Sequence, residues 1–335
     1  MTDHRITGAS VSRRAVLAGG GAAAATLAFN TSASAETIDR LHFLVGFGAG
    51  GGFDQTARGT MEALQKSGLM ANVSVENRTG AGGSIAIAHL IETAPRQQNT
   101  LMVNGTSIVI RSLSREFNQT FRDVTLVNAI TSEIYGVLVA ANSPYTDLNQ
   151  MTEALRGNAR AVRLAGGSPR GGIDHMAAAK YAKEAGVQPR AIQYIAYDGG
   201  GRALAGLLGG EAQALFMPFT EALPQVRSGQ VRLLALMSDK RSPDVPTVPT
   251  MGEKGLPKAL MYNMRAFMAA PGMAPARVNA FADLMERLIA TPAWEEVRAR
   301  NAWNTFFLRG PALATFFETH EKELRELLTE LGFIG

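Results

Sequence analysis

The chain has 335 residues, 33 basic against 29 acidic, with 46% hydrophobic content and no cysteine. That length supplies core enough for two lobes, and the composition is that of a globular protein. Without cysteine there is no disulfide, thiolate metal site or lipidated cysteine, and the scattered basic residues argue against a nucleic-acid surface.

The first 35 residues read as a leader. Ser12-Arg13-Arg14-Ala15-Val16-Leu17 sets a twin arginine before the apolar stretch Ala15 to Phe29, and Ala33-Ser34-Ala35 forms a small-x-small cleavage site. The stretch is shorter than the ~20 residues a membrane-spanning helix needs, so an uncleaved anchor is the weaker reading. Removing Arg5, Arg13, Arg14 and Asp3 with the leader leaves 30 basic and 28 acidic residues, a net of +2. The expected mature chain starts at Glu36 and is free in the periplasm.

Leu41 to Val45 reads as a buried strand. The glycine-dense run Gly46 to Gly52 must turn, and Asp54 opens a helical pattern with Ala57, Met61 and Leu64 on one face. Strand, glycine turn and helix start make an anion cradle, because backbone N–H groups approach closely and the helix end is partly positive. Val73 to Asn77 is a second strand, followed by the turn Gly80-Ala81-Gly82-Gly83 and a helix ending before Pro95. Thr100 to Asn104 is a third strand, ending in Gly105-Thr106-Ser107. Val124 to Ile130 and Tyr135 to Ala140 are further strands.

Arg160 to Ala165 is a strand running into Gly166-Gly167-Ser168-Pro169-Arg170-Gly171-Gly172-Ile173-Asp174-His175 and an alanine-rich helix. Ala191 to Ile195 runs into Ala196-Tyr197-Asp198-Gly199-Gly200-Gly201-Arg202 and another helix. Ala212 to Met217 and Arg232 to Met237 are strands, and Met261 to Ala270 is an extended apolar segment interrupted by Arg265. Helices follow Pro275 and Pro292, and a last one runs from about Pro311 to Leu331. Alternating strands and helices argue for parallel α/β sheets, with ligands outside the carboxyl ends of the strands.

Gly46-x-Gly48-x-x-Gly51 matches a dinucleotide fingerprint, with Glu76 where a ribose-binding acid would stand. Glycine density makes that match weak, and equivalent turns recur in the second half, where one cofactor would not need them. No nucleophile-elbow, zincin, P-loop or EF-hand pattern is present. Asp54 and Asp174 read first as helix N-caps, and His175 as a polar neighbour rather than a base. Arg265 is an isolated charge in an apolar run and needs a partner or a wet cleft. Arg170, inside a glycine turn, suits bidentate carboxylate binding.

Gly50-Gly51-Gly52-Phe53-Asp54-Gln55-Thr56-Ala57-Arg58, Gly80 to Gly83, Gly166 to His175 and Tyr194 to Gly201 resemble the extracytoplasmic substrate-binding proteins of the tripartite tricarboxylate transporters, the TctC or Bug type. Arg232 to Met237, Val245-Pro246-Thr247 and Asn263-Met264-Arg265 extend the resemblance over nearly all of the mature chain. Many relatives carry proline at the positions of Gly46 and Gly48, and threonine or tryptophan at that of Phe53.

The resemblance implies a two-lobed periplasmic binding protein of Venus-flytrap (type II-like) architecture, each lobe a mainly parallel sheet flanked by helices. It implies no enzyme activity and no cofactor, and a monomer that delivers a citrate-like di- or tricarboxylate to a membrane permease. The expected boundaries are 36–134 plus 237–335 for one lobe and 135–236 for the other. The ligand-binding residues carried over are Gly51, Gly52, Phe53, Asp54, Thr106 and Ser107 from the first lobe. From the second come Ser168, Pro169, Arg170, Gly171, Gly172, Asp174, Tyr197, Asp198, Gly199 and Gly200, with Arg265 on the returning chain. The rival expectation is a secreted NAD(P)-dependent oxidoreductase using the Gly46–Gly51 turn as its dinucleotide loop.

Overall fold

The computed structural model describes residues 38–116 and 118–335. The leader expected over residues 1–35 lies outside them. Among the described residues no helix is long and apolar enough to cross a membrane.

The chain begins with β1 (Leu41–Val45), α1 (Gly52–Lys66), β2 (Val73–Asn77), α2 (Ser84–Glu92), β3 (Thr100–Gly105) and α3 (Thr106–Leu113). The long β4 (Thr125–Ala140) leads to α4 (Leu148–Gly157), β5 (Arg163–Gly166), α5 (Ile173–Glu184), β6 (Gln193–Ala196) and α6 (Gly200–Leu208). Then come β7 (Ala214–Pro218), α7 (Leu223–Arg227), β8 (Val231–Leu236), β9 (Tyr262–Ala269), α8 (Pro275–Ile289), α9 (Pro292–Arg300), β10 (Asn304–Arg309) and α10 (Gly310–Leu331).

The strands run β2-β1-β3-β9-β4-β7-β5-β6, with β10 and β8 also on β4. β1 pairs in parallel with β2 and β3, and β5 with β6 and β7, as the βα alternation requires. β9 and β4 run antiparallel to their neighbours, so each lobe's sheet is mixed rather than mainly parallel. The reason is connectivity: the returning chain enters the first lobe as β9 directly, with no crossover helix before it.

The two strands expected at 124–130 and 135–140 are one. Polar Thr131-Ser132-Glu133 is not a turn but the middle of β4. Its first half pairs with β9 and β10, and from Tyr135 onward it pairs with β7 and β8. Two register shifts, at Leu126/Asn128 and Ala129/Thr131, twist the strand as bulges do. β10 was not visible in the sequence, since its six residues are themselves broken by a shift between Thr305 and Leu308.

One core fills the first lobe, where Phe43, Leu101 and Phe267 meet Phe281, Trp294 and Trp303. Another fills the second, where Leu138, Leu215 and Met217 meet Leu204, Leu207 and Phe219. A third spans both lobes, joining Met102 and Met268 to Tyr181 and Phe216 beneath Leu313, Phe317, Leu324 and Leu328 of α10. The shared strand and this shared core set the ends of α1, α5 and α6 around one cleft.

Candidate functional site

The cleft has a volume of about 640 Å³. Gly50, Gly51, Gly52 and Gln55 line it at the start of α1, Gly167, Ser168, Ile173 and Asp174 at the start of α5, and Gly199 and Gly200 at the start of α6. Glu133 and Tyr135 of β4, Asn263 and Arg265 of β9, and Glu221 close its floor and sides. Arg300, Asn301 and Trp303 form one edge. Three helix N-termini thus open on one volume, each with first-turn N–H groups that lack an intrahelical partner.

The glycines are there for contact as well as for turning. A Cβ on Gly52 would overlap the Arg265 guanidinium, and one on Gly200 would overlap the Glu221 carboxylate. Arg265 therefore lies directly against the first residue of α1. Phe53, with its ring 4.5 Å from the guanidinium carbon, backs the arginine from the other side.

Arg265 is 4% exposed, and its Nη2 donates to Glu133 Oε2 at 2.5 Å. Asn263 Nδ2 donates to the same oxygen at 3.0 Å. Arg265 Nε has no hydrogen-bond partner among the described residues. On the facing wall, Tyr135 donates to Asp174 Oδ1 at 2.6 Å. Burial pushes the Asp174 carboxyl up to about 6, the Tyr135 hydroxyl and the backbone amides of Gly167 and Ser168 pull it down, and Glu133 adds to the rise. Glu221 is pushed up to about 7 by its enclosure in the cleft and by the charges of Glu133 and Asp174, with Arg265 acting against them. Burial and Asp174 together hold the Tyr135 hydroxyl well above its ordinary range.

Of the residues expected at the site, Gly51, Gly52, Ser168, Asp174, Gly199, Gly200 and Arg265 meet in the cleft. Phe53, Ser107, Ser168, Pro169 and Gly172 line a side pocket of about 150 Å³ that shares Ser168, Ile173 and Asn263 with the cleft. Thr106 is buried, with its hydroxyl 3.4 Å from the Tyr262 carbonyl. Gly171 is buried behind the turn and donates to His175 Nδ1 at 2.9 Å. Arg170 is exposed and is not among the residues that line the cleft or the side pocket. Tyr197 turns away to Glu211 at 2.7 Å, and Asp198 is exposed beside Arg202.

The capping roles expected of the two aspartates are corrected. The N-caps of α1 and α5 are Gly51 and Gly172, which hold that position without a side chain. Asp54, the third residue of α1, reaches back to the Gly50 N–H at 2.7 Å and also accepts from Arg58 and Asn77 at 2.9 Å. Burial alone would raise its carboxyl, but these donors outweigh burial and lower it. Asp174 serves Tyr135. His175 is buried, with Nδ1 taken by Gly171, and desolvation with nearby Arg170 lowers it to about 4.

Glu133, Tyr135, Glu221 and Asn263 were not found from sequence. The available signal was the polar break Thr131-Ser132-Glu133 in an apolar run, which reads as an interruption when it is the middle of a strand whose Glu133 lines the cleft. The Gly46–Gly51 turn does not sit in a dinucleotide-binding sheet. β1 lies between β2 and β3, and β3 is followed by antiparallel β9, unlike the 3-2-1-4-5-6 order of that fold. Glu76 pairs with Arg78 at 2.7 Å.

A second cavity, of about 680 Å³, lies on the outer side between α5 and α10. Lys180 and Lys183 on its rim are paired with Glu323 and Glu330 at 2.6 Å. No glycine turn lines it, in contrast to the cleft. Among the described residues no group of three His, Asp or Glu could hold a metal ion.

Residues 56–333 match the family model described as the tripartite tricarboxylate transporter family receptor, TctC. Protein BugT of Bordetella pertussis is 30% identical over 257 residues, covering 76% of this chain and 77% of its own. A TctC solute binding protein from Polaromonas superposes with a TM-score of 0.75 at 22% identity, covering 87% of this chain and 98% of its own. MatC from Rhodopseudomonas palustris, solved with bound malate, superposes with a TM-score of 0.68 at 21% identity, covering 86% and 98%. These likenesses carry the architecture of the two lobes, and the chain belongs to the TctC family of tripartite tricarboxylate transporter receptors.

Proposed function

We propose that this protein is a periplasmic receptor that closes on a small organic carboxylate and hands it to the membrane permease of a tripartite transporter, without transforming it. The observation that carries this reading is the meeting of three helix N-termini and Arg265 in one cleft between the lobes. The family match and the malate in the MatC relative support it. A lobe of 36–134 plus 237–335 and a lobe of 135–236 agree with the change of partners along β4 at Tyr135. Binding favours the closed state, because only there do both sets of turns touch one ligand.

The citrate-like di- or tricarboxylate expected from sequence suits the α1 wall better than the facing one, where Asp174 and Glu221 already stand. The test is a thermal-shift screen of mono-, di- and tricarboxylates on the purified protein. A ligand at 100 times its dissociation constant adds ~2.7 kcal/mol of stability. A midpoint that no carboxylate raises would reject the reading.

A further inference from the structure

Each anion-binding device that the fold builds around the cleft has its own nearby protein carboxylate, save one. The Gly50 N–H is taken by Asp54 at 2.7 Å. The amides of Gly167 and Ser168 act on the Asp174 carboxyl. The Glu221 carboxylate packs against Gly200, the first residue of α6. Glu133 holds one nitrogen of Arg265. The exception is the start of α1 at Gly52, since the Gly51 N–H is already given to the Gly48 carbonyl at 3.2 Å, and it stands beside the unpartnered Nε of Arg265 on a side chain that is 4% exposed.

A polycarboxylate would therefore bring two or three negative charges into a cleft lined by Glu133, Asp174 and Glu221. Arg265 is shared with Glu133, and Arg300 at the edge is paired with Glu62 at 2.6 Å. Like charges brought this close repel, and the cost is greatest for the poorly hydrated ones, Asp174 at 6% exposed and Glu133 at 8% exposed. A cation placed among them is drawn in by the same terms. A bound metal is a poor candidate for that cation, since the described carboxylates do not form a ligand set.

We propose that the ligand is a zwitterion that sets one carboxylate against the start of α1 and Arg265, and a protonated amine against Asp174, Glu221 and Glu133. The inference rests on the reading of this cleft as the ligand site and names the class of carboxylate that it takes. Burial raises Asp174 and Glu221 first, and the neighbouring carboxylates add to the rise; an amine among them would oppose the second part. Arg265 opposes that rise from β9, Tyr135 from β4 donates to Asp174, and Glu133 from β4 adds to it.

The experiment is a thermal-shift panel followed by calorimetry on the unmodified protein. It contains amino acids and betaines, their amine-free analogues (malate for aspartate, butyrate for 4-aminobutyrate), citrate, and putrescine as an amine without carboxylate. The expected result is that an amine-bearing carboxylate binds at least tenfold tighter than its amine-free partner and releases protons near pH 6.5. In Glu221→Gln that preference shrinks by tenfold or more. If citrate or an amine-free acid binds tightest, or Glu221→Gln weakens both members of a pair equally, the zwitterion inference is overturned and the carboxylate reading stands. If putrescine alone binds, the carboxylate reading falls instead, and if nothing in the panel binds, both fall.

Discussion

Arg265 and Glu133 lie diagonally across β9 and β4, where Arg265 is in register with Thr131 and Glu133 with Asn263, and they join at 2.5 Å with both side chains at most 10% exposed. Removing one partner of such a pair leaves the other charge buried and uncompensated. Glu133→Ala is expected to lower unfolding stability in urea by about 3 kcal/mol or more. Glu133→Gln, whose amide oxygen can still accept from Arg265, should lose less. A loss below ~1 kcal/mol in Glu133→Ala would mean that water reaches the arginine freely.

Tyr135 is fully enclosed and gives its only proton to Asp174. Tyr135→Phe strands a carboxylate oxygen with little change in volume. The expected cost is about 1.5–3 kcal/mol, as for a hydrogen bond to a charged group. Asp174, deprived of a donor, should titrate higher still, which carboxyl NMR or infrared difference spectra against pH would reveal.

Two glycines separate a yielding contact from a rigid one. A Cβ at Gly52 meets the end of the Arg265 side chain, whereas one at Gly105 meets the backbone carbonyl of Met264. Gly105→Ala must push β3 away from β9 and is expected to exceed the ~1–3 kcal/mol usual for overpacking. Gly52→Ala should fall within that range while weakening ligand binding, because it displaces the arginine. Urea curves and calorimetry on the two variants rank them directly.

The pH dependence has two opposing parts. Asp174 and Glu221 are raised in the folded protein to about 6 and about 7, so their stabilising share is full below the ordinary carboxylate range and is lost as pH rises through those values. His175 and His320 are lowered to about 4 by burial, so stability from them is lost as pH falls from the ordinary histidine range toward 4. Glu221→Gln removes one acidic share. Glu221 is exposed to the water of the cleft, which screens the effect. The variant should match the parent near pH 4 and be more stable by about 1 kcal/mol at pH 8. A difference that is constant with pH would reject Glu221 as the titrating group.

The turns were legible because glycine clusters and proline breaks are local signals, and they gave the starts of α1, α5 and α6. Arg265 was legible as an anomaly, a lone charge in an apolar run. Its partner was not, since Glu133 is 132 residues away and nothing local joins them. Glu221 and Tyr135 were hidden for the same reason, being single residues made significant by what crosses the sheet. Arg170 shows the converse. It sits in the motif and is exposed, but it is not among the residues that line the cleft, and which residues of a glycine loop line a cleft is not written in residue type.

β4 also governs the order in which the molecule can assemble. Its first half needs β9 and β10, and its second half needs β7 and β8, all of which are made later. The Thr131 hydroxyl finds the Asn304 carbonyl at 2.9 Å across 173 residues of intervening chain. During vectorial synthesis the first lobe cannot finish its sheet until the ribosome has passed the whole of the second, because β9 and β10 follow β8. The first half of the nascent strand therefore spends that interval with open edges, and slow maturation of the first lobe follows from topology.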